Sequence, residues 1–237
     1  MRVECASRTH VGLKRKINED SILVEPARGL WAVADGMGGH EAGEVASAMV
    51  VDALSALPQA DDIDDLASEA IEALHRVNRE LIELARSEAS GRTIGTTVVG
   101  LILAGGLFRC FWAGDSRAYR LRDGMLTRVS RDHSLVQQLV DSGMLRAEEA
   151  ERHENSNVVT RAVGVAPEIE VDTVDGDAVA GDVFLLASDG LTRVVEDREI
   201  AAELERSPPE QAADKLLETV LERGAPDNVS LIIVRLV

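Results

Sequence analysis

The sequence predicts an α+β fold, with antiparallel sheet and helices packed on its faces, and three observations carry that prediction. Runs rich in β-branched and aromatic residues come in groups with paired helical segments between them, which is the pattern of stacked layers. Gly105-Gly106 and Asp123-Gly124 are two-residue turn signals that join antiparallel neighbours. Parallel neighbours would need a crossover of about a dozen residues at each point. Finally, 45% of the 237 residues are hydrophobic but only 3% are aromatic, so a sizeable core has to be built from Ala, Val, Leu and Ile.

The elements follow in chain order. Strands are expected at residues 2–6, 21–25 and 30–34, then an Ala/Val-rich helix at 43–57. Ile63, Leu66, Ala70, Leu74, Val77, Leu81 and Leu84 recur at three- and four-residue steps, the spacing of one helix face. Strands at 96–103, 107–113, 118–121 and 125–129 read as a meander. Residues 133–164 form the least regular part, with short helical patterns and a polar tract at 153–157. Strands at 168–174 and 182–187, helices at 196–204 and 209–223 and a strand at 229–234 complete the chain. No linker, repeat or low-complexity stretch divides it, so one domain over 1–237 is expected.

With 25 Lys and Arg against 42 Asp and Glu, the formal charge is −17. A phosphate-backbone binder needs clustered cations, so nucleic acid is not an expected partner. The apolar content excludes a disordered acidic tail. Cys5 and Cys110 cannot form a disulfide framework, and the opening MRVECASRTH has no apolar signal segment. The longest apolar stretch, residues 98–108, is interrupted by glycines and is too short to cross a bilayer. A cytoplasmic protein without membrane insertion is expected.

Chemistry is suggested by four aspartates placed where apolar runs meet turns. Asp35 follows LWAVA, Asp115 follows LFRCFWAG, Asp189 follows VFLLAS and Asp227 precedes VSLIIV. Taken singly, each is explained as a good turn former. If the strand ends share one rim, however, the carboxylates repel unless a cation lies between them. Oxygen-only ligands suit Mg²⁺ or Mn²⁺, and no His or Cys spacing suggests zinc. The glycine loop at 36–43 is not a phosphate cradle, because Glu44 stands where a P-loop has Lys. Cys110 and Arg117 enclose six residues where a thiol phosphatase needs five. Asp175-Gly-Asp177-Ala-Val179 matches an aspartyl-nucleophile pattern but reads as a turn. Arg15, in a basic tract of an acidic chain, is either an exposed loop charge or a bidentate phosphate clamp.

These residues, taken in order, resemble a known family. Thr9-x-x-Gly12-x-x-Arg15-x-x-Asn18-Glu19-Asp20, Val33-Ala34-Asp35-Gly36-Met37-Gly38-Gly39 and Gly95-Thr96-Thr97 are similar to motifs of the metal-dependent PPM protein phosphatases, also called type 2C. Ala113-Gly114-Asp115-Ser116-Arg117, Asp132-His133-Ser134, Ser188-Asp189-Gly190 and Asp227-Asn228-Val229 continue the series over nearly the whole chain. The resemblance is to short bacterial members that consist of the catalytic domain alone.

The resemblance implies a four-layer α-β-β-α sandwich, two antiparallel sheets flanked by helix pairs, with metals at one edge. Asp35 would bridge two Mn²⁺ or Mg²⁺ ions, joined by the Gly36 carbonyl, with Asp189 and Asp227 completing the second metal. Asp115, with Asp189, would hold a weaker third ion. Glu19 and Asp20 would hold metal-bound waters, Arg15 would grip the substrate phosphate, and residues 133–164 would be a flap beside the site. Met37 stands where many eukaryotic members have a His proposed as general acid, which leaves His40, His133 or a metal-bound water for that role. The implied activity is hydrolysis of phosphoserine and phosphothreonine in proteins by a metal-bridging hydroxide, opposing a bacterial Ser/Thr kinase, with a monomer expected. Some short members serve secretion-system regulation. The rival readings are a non-catalytic phosphoprotein-binding module of the same fold and a hydrolase of small phosphate esters.

Overall fold

The structure is a computed structural model that describes residues 2–38, 42–58, 60, 62–87, 93–150 and 153–237. Its elements are β1 (Val3–His10), β2 (Asp20–Glu25), β3 (Leu30–Met37), α1 (Ala42–Ser55), α2 (Ile63–Ser87), β4 (Gly95–Thr96), β5 (Val98–Ala104), β6 (Leu107–Ala113), β7 (Arg117–Arg122) and β8 (Met125–Arg128). They continue with α3 (Leu135–Asp141), α4 (Ala147–Ala150), β9 (Asp172–Asp177), β10 (Val183–Ala187), α5 (Asp189–Thr192), α6 (Asp197–Arg206), α7 (Pro209–Glu222) and β11 (Val229–Leu236).

Two antiparallel sheets form, in the orders β1-β11-β10-β7-β8 and β2-β3-β5-β6-β9, with β4 added beside β3. Alternating side chains sort into separate apolar layers. In β3, Leu30, Ala32 and Ala34 face α1 and α2, while Trp31 and Val33 face the other sheet. In β11, Leu231 and Ile233 face α6 and α7, while Ile232 and Val234 join the layer between the sheets. Each central strand is therefore covered on both faces, which is why these antiparallel strands read as unbroken apolar runs. Three apolar clusters between four layers give the expected sandwich of helices, sheet, sheet and helices.

The two glycine turns behave as predicted. Asp123 and Gly124 take φ of 51° and 75°, and Gly105 and Gly106 take 60° and 81°, which matches the twist of a two-residue hairpin. The single meander needs correction, because β5–β6 and β7–β8 lie in different sheets and the chain crosses between them around Gly114. The strand expected at 168–174 runs instead from Asp172 to Asp177. Asp175 and Asp177, read as a turn, lie in that strand, and Asp175 pairs with Arg109 across it. Polar edge residues hid this strand from an apolar count.

A buried ion pair ties the far end of the sandwich. Asp182 is 1% exposed and accepts from Nε and a terminal nitrogen of Arg122, each at 2.6 Å. Burial alone would raise its pKa, but Arg122 and the Val179 N–H hold it below the usual carboxylate range. A depressed folded pKa contributes stability above the unfolded value and loses it as pH falls through the folded one. Asp182→Asn is therefore expected to cost about 1–3 kcal/mol at pH 7. The gap between the two melting curves should shrink as pH drops below the ordinary aspartate range. A gap independent of pH would show that the charge is irrelevant.

Candidate active site

At one rim of the sandwich a cleft of about 610 Å³ is lined by Glu19, Asp35, Asp115, Asp189 and Asp227 together with Arg15, Gly36 and Arg193. Each reaches the rim from a different part of the fold. Asp35 lies inside β3, which runs on to Met37 rather than turning at the aspartate. Its N–H donates to Thr97 Oγ1 at 3.2 Å and its carbonyl accepts from the Thr97 N–H at 2.8 Å. Asp20 lies directly across from it on β2. Asp115 occupies the crossing between the sheets, Asp189 opens α5 and Asp227 precedes β11.

Close backbone approach brings these pieces together. A Cβ on Gly190 would lie 1.8 Å from the Asn228 carbonyl oxygen, and one on Gly36 would lie 2.1 Å from that of Gly43. Only glycine lets α5 sit against the start of β11, and β3 against α1, at these distances. Asn228 anchors the loop that carries Arg15. Its amide donates to the Val11 and Ile17 carbonyls at 2.9 and 3.0 Å, and its Oδ1 accepts from the Glu19 N–H at 2.9 Å. With the residue 6% exposed, Asn228→Ala is expected to destabilise by about 2–3 kcal/mol and to free this loop. Faster hydrogen exchange at residues 11–19 would report it, and unchanged exchange there would refute it.

Burial gives the site its electrostatics. It lifts Asp35 well above the usual carboxylate range, and the charges of Asp20, Asp189 and Asp115 add to the lift. It pushes Asp20 up to about 7, against hydrogen bonds from Ser230 and Ser188. Asp115 is pushed up to about 6 by burial and then by Asp189, with Arg193 opposing. Burial also raises Asp189, with Arg193 opposing and Asp227 adding to the lift. Two guanidiniums answer five cleft carboxylates: Arg15 pairs with Asp227 at 2.8 Å, and Arg193 with Asp115 at 3.1 Å and Asp189 at 2.9 Å. Among the described residues no three acidic, imidazole or thiol groups already converge as a closed metal cage. The donor set nonetheless fits hard divalent cations. It is all oxygen, it carries excess negative charge, and the buried oxygens Glu19 Oε1 and Asp20 Oδ1 have no hydrogen-bond partner among the described residues.

The Protein phosphatase 2C family profile matches residues 10–230. The chain belongs to that family. It is 38% identical over 228 residues to the serine/threonine protein phosphatase PstP of Mycobacterium tuberculosis, covering 96% of this chain but 44% of PstP. The chain thus spans less than half the length of that relative. A PstP catalytic domain solved in complex with two manganese ions superimposes with a TM-score of 0.87 at 37% identity, covering 98% of this chain and 97% of that one. PppA, described as a key regulatory component of T6SS in Pseudomonas aeruginosa, gives a TM-score of 0.90 at 41% identity, covering 99% and 98%.

Within this type 2C fold the predicted site residues separate into two groups. Arg15, Glu19, Asp35, Gly36, Asp115, Asp189 and Asp227 share the cleft. Asp20 is 8% exposed and lies behind it, accepting from Ser188 Oγ at 3.0 Å. His133 is not among the cleft-lining residues. Its Nδ1 accepts from the Gly114 N–H at 3.1 Å, its Nε2 faces Asp172 at 3.2 Å, and its ring stacks on Trp112. His133 therefore positions the crossing that carries Asp115. His40 lies outside the described residues. Sequence reasoning missed Arg193, whose only signal was its place four residues after Asp189 on a helical turn. No helix among the described residues is long and apolar enough to cross a membrane.

Proposed function

We propose that the chain is a metal-dependent protein serine/threonine phosphatase acting as one catalytic unit, with residues 133–164 forming a flap beside the site. The observation that carries this reading is the convergence of Asp35, Asp115, Asp189, Asp227 and Glu19 with Arg15 on one cleft. Asn157 and Val159 of the flap line the same cleft. Asp35, Asp189, Asp227 and the Gly36 carbonyl would hold two Mn²⁺ or Mg²⁺ ions, and Asp115 with Asp189 a third. Those ions would supply Lewis-acid neutralisation of the phosphoryl oxygens and lower the pKa of water at the site.

The chain's own residues do the rest. Arg15 is half exposed and, among the described residues, held by a single carboxylate, so its guanidinium can turn to a phosphate dianion and grip it bidentately. Glu19 Oε1 and Asp20 Oδ1 are free to accept from ordered waters. The buried carboxylates are fixed by backbone contacts before substrate arrives. Neither Met37 nor His133 supplies the proton to the leaving serine or threonine oxygen, since one has none and the other faces Asp172. Phosphoproteins of a cognate Ser/Thr kinase are the expected substrates, with the protein cytoplasmic and monomeric.

The test is phosphate release from a phosphothreonine peptide, with Mn²⁺ and with chelator, against phosphotyrosine peptide and nucleotide controls. Turnover is expected with Mn²⁺ and phosphothreonine only. Metal binding without turnover would favour the non-catalytic phosphoprotein-binding module, and preference for nucleotides would favour the small-ester hydrolase.

A further inference from the structure

A short cationic tract stands at the mouth of an otherwise acidic site. The chain has three lysines, and two of them, Lys14 and Lys16, flank Arg15. Leu13 to Ile17 are five consecutive exposed residues, so the body of the fold covers none of them. Both ends of the stretch are pinned. The Leu13 N–H donates to the Ala225 carbonyl at 2.9 Å, and a Cβ on Gly12 would lie 2.2 Å from the Asp227 carbonyl oxygen. At the other end the Asn18 amide donates to Thr9 Oγ1 at 2.8 Å, and the Ile17 carbonyl accepts from Asn228 at 3.0 Å. Arg15 lines the cleft, so the tract is a held projection at its edge. The fold itself makes no use of the two ammonium groups. Among the described residues neither Lys14 nor Lys16 enters an ion pair, whereas Lys215 lies 2.7 Å from Glu218.

We propose that Lys14 and Lys16 form a specificity subsite that reads an anionic residue beside the phosphoserine or phosphothreonine being hydrolysed. A net charge of −17 repels an acidic peptide at a distance, and two unpaired cations beside the phosphate clamp reverse that sign locally. Consecutive Cα atoms lie about 3.8 Å apart, and an extended peptide advances about 3.3 Å per residue. With its phosphate on Arg15, a substrate chain therefore brings its nearest neighbours in sequence alongside these lysines. An ammonium is a flexible point charge without a planar fork, so a carboxylate or a second phosphate satisfies it equally in kind. Neither lysine touches a reacting atom. Their contribution is the same before and during the reaction, and it therefore enters through KM. This inference rests on reading the cleft as a phosphatase site.

The test compares peptides that carry one phosphothreonine and differ only at the two positions on either side of it, with Glu, Gln or Lys there. With Mn²⁺ present, the wild type is expected to favour the Glu peptide over the Gln peptide about fivefold in kcat/KM, through KM, as two exposed ion pairs supply. The preference should fade as salt screens the charges. A fourth peptide, with a non-hydrolysable phosphonate in place of Glu, separates the two sources of charge. A preference for it alone assigns the tract to a second phosphate, and one shared with Glu assigns it to acidic flanks in general; both uphold the lysines' role. Lys14→Gln combined with Lys16→Gln should erase the preference while the Gln peptide is hydrolysed as before. Lys14→Glu combined with Lys16→Glu should turn it toward the Lys peptide. If the wild type treats all four peptides alike, or the double Gln variant keeps the preference, the subsite is overturned. If no peptide releases phosphate, it is the phosphatase reading that fails.

Discussion

Asp35→Asn is expected to lower phosphate release from a phosphothreonine peptide by about a thousandfold or more, the loss implied by several kcal/mol of missing transition-state stabilisation. Asp35 is the carboxylate most deeply set among the others: burial and the four aspartates Asp20, Asp189, Asp115 and Asp227 oppose its charge. Such a group is tolerated in a folded chain only if something compensates the charge when the site works. Asparagine keeps the shape of the side chain without its capacity to ionise. The backbone bonds to Thr97 do not depend on the side chain. The variant should therefore fold and, in chelator, melt higher than the wild type, because a buried carboxyl whose ionisation is opposed by burial and by its neighbours has been removed. A well-folded Asp35→Asn with undiminished Mn²⁺-dependent turnover would refute the assigned site.

Mn²⁺ should raise the melting temperature of the wild type strongly. Binding to the folded state alone stabilises by about 2.7 kcal/mol per site at a hundredfold excess over Kd. For a domain of this size that corresponds to roughly 5–10 °C for one filled site. The carboxylates that line the cleft repel one another, and the buried Glu19 Oε1 and Asp20 Oδ1 have no partner among the described residues. Cation binding relieves the repulsion, so Asp35→Asn and the wild type should exchange order when chelator is replaced by Mn²⁺. A wild-type transition unmoved by millimolar Mn²⁺ would contradict the cation centre.

Much of the fold was legible because local chemistry and tertiary demand agree in it. The α2 stripe from Ile63 to Leu84 is a helix because its apolar spacing matches the helical turn. The glycine turns at Gly105-Gly106 and Asp123-Gly124 close hairpins because their φ values are positive. The strand at Asp172–Asp177 was shifted because its residues are polar and its support comes from pairing with β6. A strand placed by a neighbour leaves little trace in its own composition.

The sequence by itself determined the donor chemistry of the site: four aspartates beside apolar runs, an excess of acid, and an ordered motif series that marks the type 2C family. Only the tertiary structure decided which of these residues meet. It put Asp20 behind Asp35 across a strand pair, turned His133 away to Gly114 and Asp172, and bridged Asp115 and Asp189 with Arg193, residues 78 and 4 positions from their partner. The physical reason is that side-chain identity and local spacing are properties of the chain, whereas burial, repulsion between carboxylates and competition for them arise only when distant strand ends share one rim.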